Sequence, residues 1–140
     1  MPDYSEYVTD IVHEPTQTEG TGFDLTVAEV HEVVAPGRID FGGGELEPAT
    51  TVAHETTKRD PDDDYAWWDL GAGQFLVEFN ESLTGEATVT VQPRTELLER
   101  GATHPTLHVA ELPRVPLSVG GAGLKLKENA RVSTVVAVDQ

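Results

Sequence analysis

Two short stretches of this chain bring charged side chains to places where a backbone turn could put them to use. In the first, Gly20-Thr21-Gly22 leads into Phe23-Asp24-Leu25-Thr26-Val27, an apolar run carrying a single carboxylate. Such an Asp either stabilises the turn at the start of a strand or stands inward or at an interface as a functional group. In the second, Pro93-Arg94-Thr95-Glu96-Leu97-Leu98-Glu99-Arg100-Gly101 places an arginine, a hydroxyl and a helix start directly after a strand. Free amides at a helix start favour an anion, and a guanidinium fork can grip two of its oxygens, so phosphate is the ligand this pattern suits. Glu96 would compete with phosphate for the same donors, and pairing of Arg94 with a surface carboxylate is the plain structural alternative. The histidines His13, His31, His54, His104 and His108 lack the i, i+4 helical pairing of zinc motifs, and His104 and His108 read as surface or strand residues. Without a cysteine the chain has no disulfide, thiolate metal site or thiol nucleophile.

The elements that must position these residues are strands. Short runs rich in Val, Thr and Phe recur at 23–27, 31–34, 74–79, 87–91, 106–110, 115–119 and 131–138, separated by turn formers such as Pro36-Gly37, Gly42-Gly43-Gly44 and Thr84-Gly85. This spacing predicts an all-β barrel or jelly roll. One short helix is expected, with Thr95 as N-cap of Glu96–Arg100 and Gly101 as its stop. The stretch at about 44–65 has little periodicity and ends in Lys58-Arg59-Asp60-Pro61-Asp62-Asp63-Asp64, which reads as a flexible polar insertion within a single domain spanning 1–140. Trp67-Trp68 follows it, and at least one indole is expected to cover the edge of the core.

Charge narrows the partners. Lys plus Arg total 9 against 25 Asp plus Glu, a net charge of −16, so nucleic-acid backbones and anionic membrane faces would be repelled. The carboxylates are spread along the chain, as on surfaces adapted to high salt, where screening shortens the reach of repulsion. The first ten residues lack the basic and apolar regions of a signal peptide, and the expected location is the cytoplasm.

Taken in order, Gly22-Phe23-Asp24-Leu25, the strand Gln74-Phe75-Leu76-Val77-Glu78-Phe79, Arg94-Thr95-Glu96-Leu97-Leu98 with Arg100-Gly101, and Asn129-Ala130-Arg131-Val132-Ser133-Thr134 resemble the motifs of the dUTPase and dCTP deaminase family. The resemblance is to a divergent member of haloarchaeal type and covers about 11–138. It implies a distorted jelly roll, a homotrimer with nucleotide sites shared between subunits, and Mg²⁺ accompanying a deoxynucleoside triphosphate. It also implies cleavage of dUTP to dUMP and pyrophosphate, with dCTP deamination or a noncatalytic, regulatory nucleotide-binding role as the alternatives. Carried over by position, Asp24 and Glu111 are the catalytic candidates, with Asp24 near the metal, and Arg94, Thr95, Glu96, Arg100, Ser118 and Arg131 lie near the substrate. Three positions depart from the pattern: Glu96 replaces a serine, Thr134 replaces a glutamine, and Ser118 stands where deaminases carry the glutamate that shuttles protons. A serine cannot serve unaided as that base, so dUTP is favoured over dCTP.

Overall fold

Phe23–Ala35 is a single thirteen-residue strand around which the rest of the chain is arranged. The computed structural model describes residues 3–139. After a 3-10 turn at Tyr4–Tyr7, the elements are β1 (Val8–Thr9), α1 (Glu14–Gln17), β2 (Phe23–Ala35), β3 (Thr50–Ala53), β4 (Trp67–Leu70), β5 (Gly73–Phe79) and β6 (Ser82–Leu83). They continue with β7 (Thr88–Pro93), α2 (Thr95–Glu99), β8 (Ala102–Thr103), β9 (Leu107–Val109), β10 (Val115–Val119), β11 (Leu124–Lys127) and β12 (Arg131–Asp139). Seven strands lie in the order β8-β10-β5-β2-β12-β7-β9, with β3 added to β2, and the pairs β1/β6 and β4/β11 form two smaller sheets. Every pairing is antiparallel, and the whole is an all-β jelly roll of curled sheets.

The long strand differs from the two separate runs read from sequence. Its register against β5 shifts between Val27 and Glu29, and this irregularity breaks the alternation that would have shown one element. The polar stretch at about 44–65 is also less irregular than expected, because β3 lies inside it and pairs with β2, and Thr57 bridges Trp67. Across its start, Arg38 and Glu47 exchange backbone hydrogen bonds, so 38–47 is a closed hairpin that leaves Ile39 and Phe41 exposed. Among the described residues there are two α-helices where one was expected. The additional one, α1, is a single turn capped by His13, too short for any apolar periodicity to announce it.

The core is built from the inward faces of the curled sheet. Phe23, Leu25, Val27, Val30, Val89, Val91 and Val135 are completely buried, and Trp68 closes one side at 1% exposure. The first five residues of β2 are buried on both faces, so Asp24 and Thr26 lie inside the protein as well. Buried polar groups must find partners, and those of Asp24 come from the functional site. No described helix is long and apolar enough to cross a membrane.

Candidate functional site

Asp24 faces β12 across the ladder. It is paired with Thr134, whose hydroxyl donates to Asp24 Oδ1 at 2.8 Å. Arg131 Nη1 donates to Asp24 Oδ2 at 3.1 Å, and Arg94 Nε stands 3.5 Å from the same oxygen. Two guanidinium groups thus share one buried carboxylate at this corner, and Glu96 and Glu19 pair with them from its outer side. Close approach of the strands requires Gly22, since a Cβ there would lie 2.2 Å from the Val135 carbonyl oxygen. A register shift between Arg131 and Ser133 frees the Val132 carbonyl to accept from the Arg94 amide at 2.9 Å, tying the start of α2 to β12.

Arg94 is therefore not the free anion grip that its position in the sequence suggests. All three of its guanidinium nitrogens have partners: Nε near Asp24, Nη2 on Glu96 at 2.9 Å, and Nη1 on the Arg131 carbonyl at 3.4 Å. The expected competition from Glu96 is real, and it satisfies the arginine itself. Nor do the amides of α2 make a cradle: the helix has five residues, begins with Arg94 as an N-cap lacking a side-chain cap bond, and has Thr95 as its first helical residue instead of its cap. Gly101, at φ 82°, ends it as expected.

The open cations lie one step away. Between α2 and β11 a cleft of about 110 Å³ is floored by Leu97, Leu124, Leu126 and Val132 and rimmed by Arg100, Lys125, Arg131 and Glu96. Three of the chain's nine cationic residues thus border one small hollow with a single carboxylate, in a protein of net charge −16. The hydrogen bonds of the Arg131 side chain run through Nη1, to Asp24, to the Thr16 carbonyl at 3.0 Å and to Glu19 at 3.4 Å, and among the described residues Nε and Nη2 have no hydrogen-bond partner. Larger hollows exist, of about 300 Å³ beside Gly22 and about 270 Å³ beside Glu111, but neither is lined by a cationic side chain.

Sequence comparison finds relatives of named activity. Proteins described as probable deoxyuridine 5'-triphosphate nucleotidohydrolases from Methanosarcina acetivorans and Methanosarcina mazei are 28% and 27% identical to the chain, over 94% and 84% of its length and 75% and 69% of theirs. The chain is related to the dUTPase and dCTP deaminase family. No family model matches it. Among solved structures, the 2'-deoxycytidine 5'-triphosphate deaminase from Agrobacterium tumefaciens shares the fold, with a TM-score of 0.56 at 12% identity. It aligns with 92% of this chain, which spans only 42% of the deaminase's own length.

The family-derived positions separate into two regions. Asp24, Arg94, Glu96 and Arg131 come together at the corner just described, and Arg100 joins them across the cleft, its Nη1 donating to the Glu96 carbonyl at 3.0 Å. Glu111 does not line the cleft. It is exposed on the loop after β9, beside Ser82, Leu83 and Leu112. Ser118 lies in β10 between Gln74 and Thr103, half-buried in the ladder. Asp24 does not fit a resident Mg²⁺, because its oxygens are already satisfied by Thr134 and Arg131, and a hard cation would have to displace an arginine to reach them. Among the described residues no group of three His, Asp or Glu side chains could hold a metal ion.

Among the buried polar groups that sequence reasoning missed are Glu81 and His104. Glu81 is 3% exposed and accepts from the Thr26 amide at 2.8 Å, the Thr26 hydroxyl at 2.6 Å and Gln17 Nε2 at 2.8 Å. Burial pushes its carboxyl above the ordinary value of 4.5, against the lowering effect of these hydrogen bonds. A signal existed: Phe75, Val77 and Phe79 point inward, and continuing the alternation by two residues places Glu81 on the same face. His104, expected at the surface or on a strand, is 6% exposed beyond the end of β8. Its Nδ1 lies 2.8 Å from the Pro105 carbonyl, an obligate acceptor, so Nδ1 carries the proton and Nε2 accepts from the Ser133 hydroxyl at 2.7 Å. Desolvation lowers its pKa from the usual 6.5 and keeps the ring neutral.

Proposed function

We propose that the chain is a deoxynucleoside triphosphate hydrolase that takes dUTP, as its Mg²⁺ complex, to dUMP and pyrophosphate. The observation that carries this reading is the cationic cleft formed by Arg100, Lys125 and Arg131 in an otherwise acidic protein. A triphosphate is the part of the substrate whose charge such a rim would select, and the surrounding carboxylates repel longer polyanions. The names borne by the Methanosarcina relatives supply the base and the reaction.

In this reading Arg131, held in place by Asp24, turns Nε and Nη2 toward phosphate oxygens, and Arg100 and Lys125 neutralise the charge that builds on the departing pyrophosphate. Water attacks the α-phosphorus, the bond to the bridging oxygen of the pyrophosphate breaks, and the proton of the water passes to a carboxylate. Asp24, buried against two arginines, is a holder of those arginines and not the acceptor of that proton. Glu111 remains the candidate, and since it lies outside the cleft of its own chain it would act on a neighbouring subunit's nucleotide. A cleft of about 110 Å³ is also smaller than the ~300 Å³ at which ligand pockets usually begin, which suits a site completed by another subunit of a homotrimer. Ile39 and Phe41 on the 38–47 hairpin offer apolar surface for such assembly. Dispersed surface charge suits a protein working in a salt-rich cytoplasm.

The separation of Glu111 from the cleft also favours a second reading, a regulatory relative that binds the nucleotide and does not turn it over. Deamination of dCTP is disfavoured because Ser118 supplies no carboxylate. Purified protein in molar KCl with Mg²⁺ separates these readings. Release of pyrophosphate from dUTP supports the hydrolase; stabilisation by dUTP without release supports the binding protein. Neither effect from a folded protein would refute both, and ammonia from dCTP would restore the deaminase.

A further inference from the structure

β5 leaves the side of β2 at Phe79, opposite Val27, so β2 residues 24–26 have β12 on one side and no strand on the other. The ladder groups exposed on that open edge are not left bare. The Asp24 carbonyl accepts from Gln17 Nε2 at 2.8 Å, the Thr26 amide donates to Glu81 Oε1 at 2.8 Å, and the Thr26 carbonyl accepts from the Asn80 amide at 2.9 Å. Gln17 and Glu81 are joined to each other at 2.8 Å and are both buried, at 1% and 3% exposure. Two side chains therefore replace the missing strand at the positions where β2 carries Asp24.

A carboxylate in such a place is expensive, because burial opposes its ionised form and raises its pKa. An apolar side chain could fill the volume, but it would leave the Thr26 amide and one Gln17 donor unpaired. What the carboxylate holds is visible on the far side of its partners. Gln17 is the last residue of α1, and its Oε1 accepts from the His13 amide at 2.7 Å, so the whole helical turn is pinned to Glu81. The neighbouring Thr16 carbonyl accepts from Arg131 Nη1, the nitrogen that also grips Asp24. Thr26 is in turn the ladder partner of Arg131. Glu81 thus reaches Arg131 by two routes, one through α1 and one through β2, without approaching the cleft itself.

We infer that Glu81 is the positioning residue for Arg131, fixing through Gln17 and Thr26 the direction in which that guanidinium faces an anionic ligand. This role rests on the reading of the Arg100, Lys125 and Arg131 cleft as the triphosphate site. Disturbing Glu81 should therefore weaken anion binding even though every side chain that meets the anion is still in place. Glu81→Gln keeps the shape but sets an amide donor against the donors of Gln17 or Thr26, and Gln17→Ala cuts the α1 route while sparing the carboxylate.

Calorimetric titration of inorganic triphosphate into the full chain at fixed salt, with thermal unfolding of each variant alongside, tests the inference. Each substitution should weaken binding about tenfold, the scale on which small misplacements act. In an Arg131→Ala background neither should weaken it further, because the group being positioned is gone. Val30→Ala, in the core away from the cleft, controls for general loosening and should leave affinity unchanged at a comparable loss of stability. Wild-type affinity in folded E81Q and Q17A, or losses that simply add to that of R131A, would overturn the role of Glu81 alone. If E81Q fails to fold, Q17A decides. Absence of triphosphate binding by the wild-type chain would overturn the cleft assignment and the role of Glu81 with it.

Discussion

The corner around Asp24 and the loop around Glu111 both hold carboxylates that the family resemblance singled out, yet the protein treats them in opposite ways. At the corner, one buried carboxylate is held by two arginines and a threonine, and side chains from α1 and the β5–β6 connection support the strand behind it. At the loop, the carboxylate is exposed beside a hollow of about 270 Å³ lined by only four residues. On the proposed reading, the residues that would face the anion are held in place by their own chain, whereas the carboxylate that would orient water lies apart from them. The contrast teaches that residues carried over from one family by resemblance need not share one environment in the folded chain.

The largest effect is expected where the corner is broken. Asp24→Ala removes the buried carboxylate that two guanidinium groups share, and should cost about 3–5 kcal/mol of stability in urea unfolding, the range for breaking a buried pair. A loss below about 1 kcal/mol, the scale of an exposed pair, would mean that the corner is not what holds these strands. Arg131→Ala should weaken dUTP binding by about 2–3 kcal/mol, as for other truncated charged hydrogen-bond partners, and titration calorimetry measures this directly. Arg100→Ala and Lys125→Ala, on the exposed rim, should cost about 1 kcal/mol of affinity or less, and their effect should shrink as salt rises. Glu111→Gln should leave stability within about 0.5 kcal/mol of wild type, as for a surface substitution, while abolishing pyrophosphate release if the loop serves a neighbouring subunit. Unchanged turnover would remove Glu111 from the reaction.

Two of the buried titratable groups, Glu81 and His104, sharpen the comparison by their signs. The Glu81 carboxyl is raised in the folded state, so its contribution is fully present below 4.5 and is lost as pH rises through the folded value. His104 is lowered, so its contribution is present above 6.5 and is lost as pH falls through the folded value. Urea unfolding followed from about pH 4 to about pH 8 should therefore show two opposing slopes, and E81Q should remove the first while leaving the second.

How much of this could be read in advance depended on the kind of signal each element carried. The strands were legible as Val- and Thr-rich runs, and β10 matches its sequence boundaries at Val115–Val119. β2 read as two strands because the irregularity near Ala28 interrupts its period. Helix α1 could not be read, since four residues held by a His13 cap and by the Gln17–Glu81 bond are specified through tertiary contacts. In the site, the charges at Asp24, Arg94 and Arg131 were legible as motif residues, but which arginine stays open depends on Glu96 folding back onto Arg94, a three-dimensional fact. Lys125 was missed because it comes from β11, far along the chain, and is brought to the cleft only by the pairing of β11 with β4.

Lysine labelling reads the occupied cleft most directly, because the chain has only three lysines and one of them stands on the rim. Mild acetylation with and without saturating dUTP, quantified on peptides by mass spectrometry, should show Lys125 protected while Lys58 and Lys127 react at unchanged rates. Equal reaction of Lys125 in the presence and absence of bound dUTP would place the triphosphate elsewhere and contradict the cleft assignment.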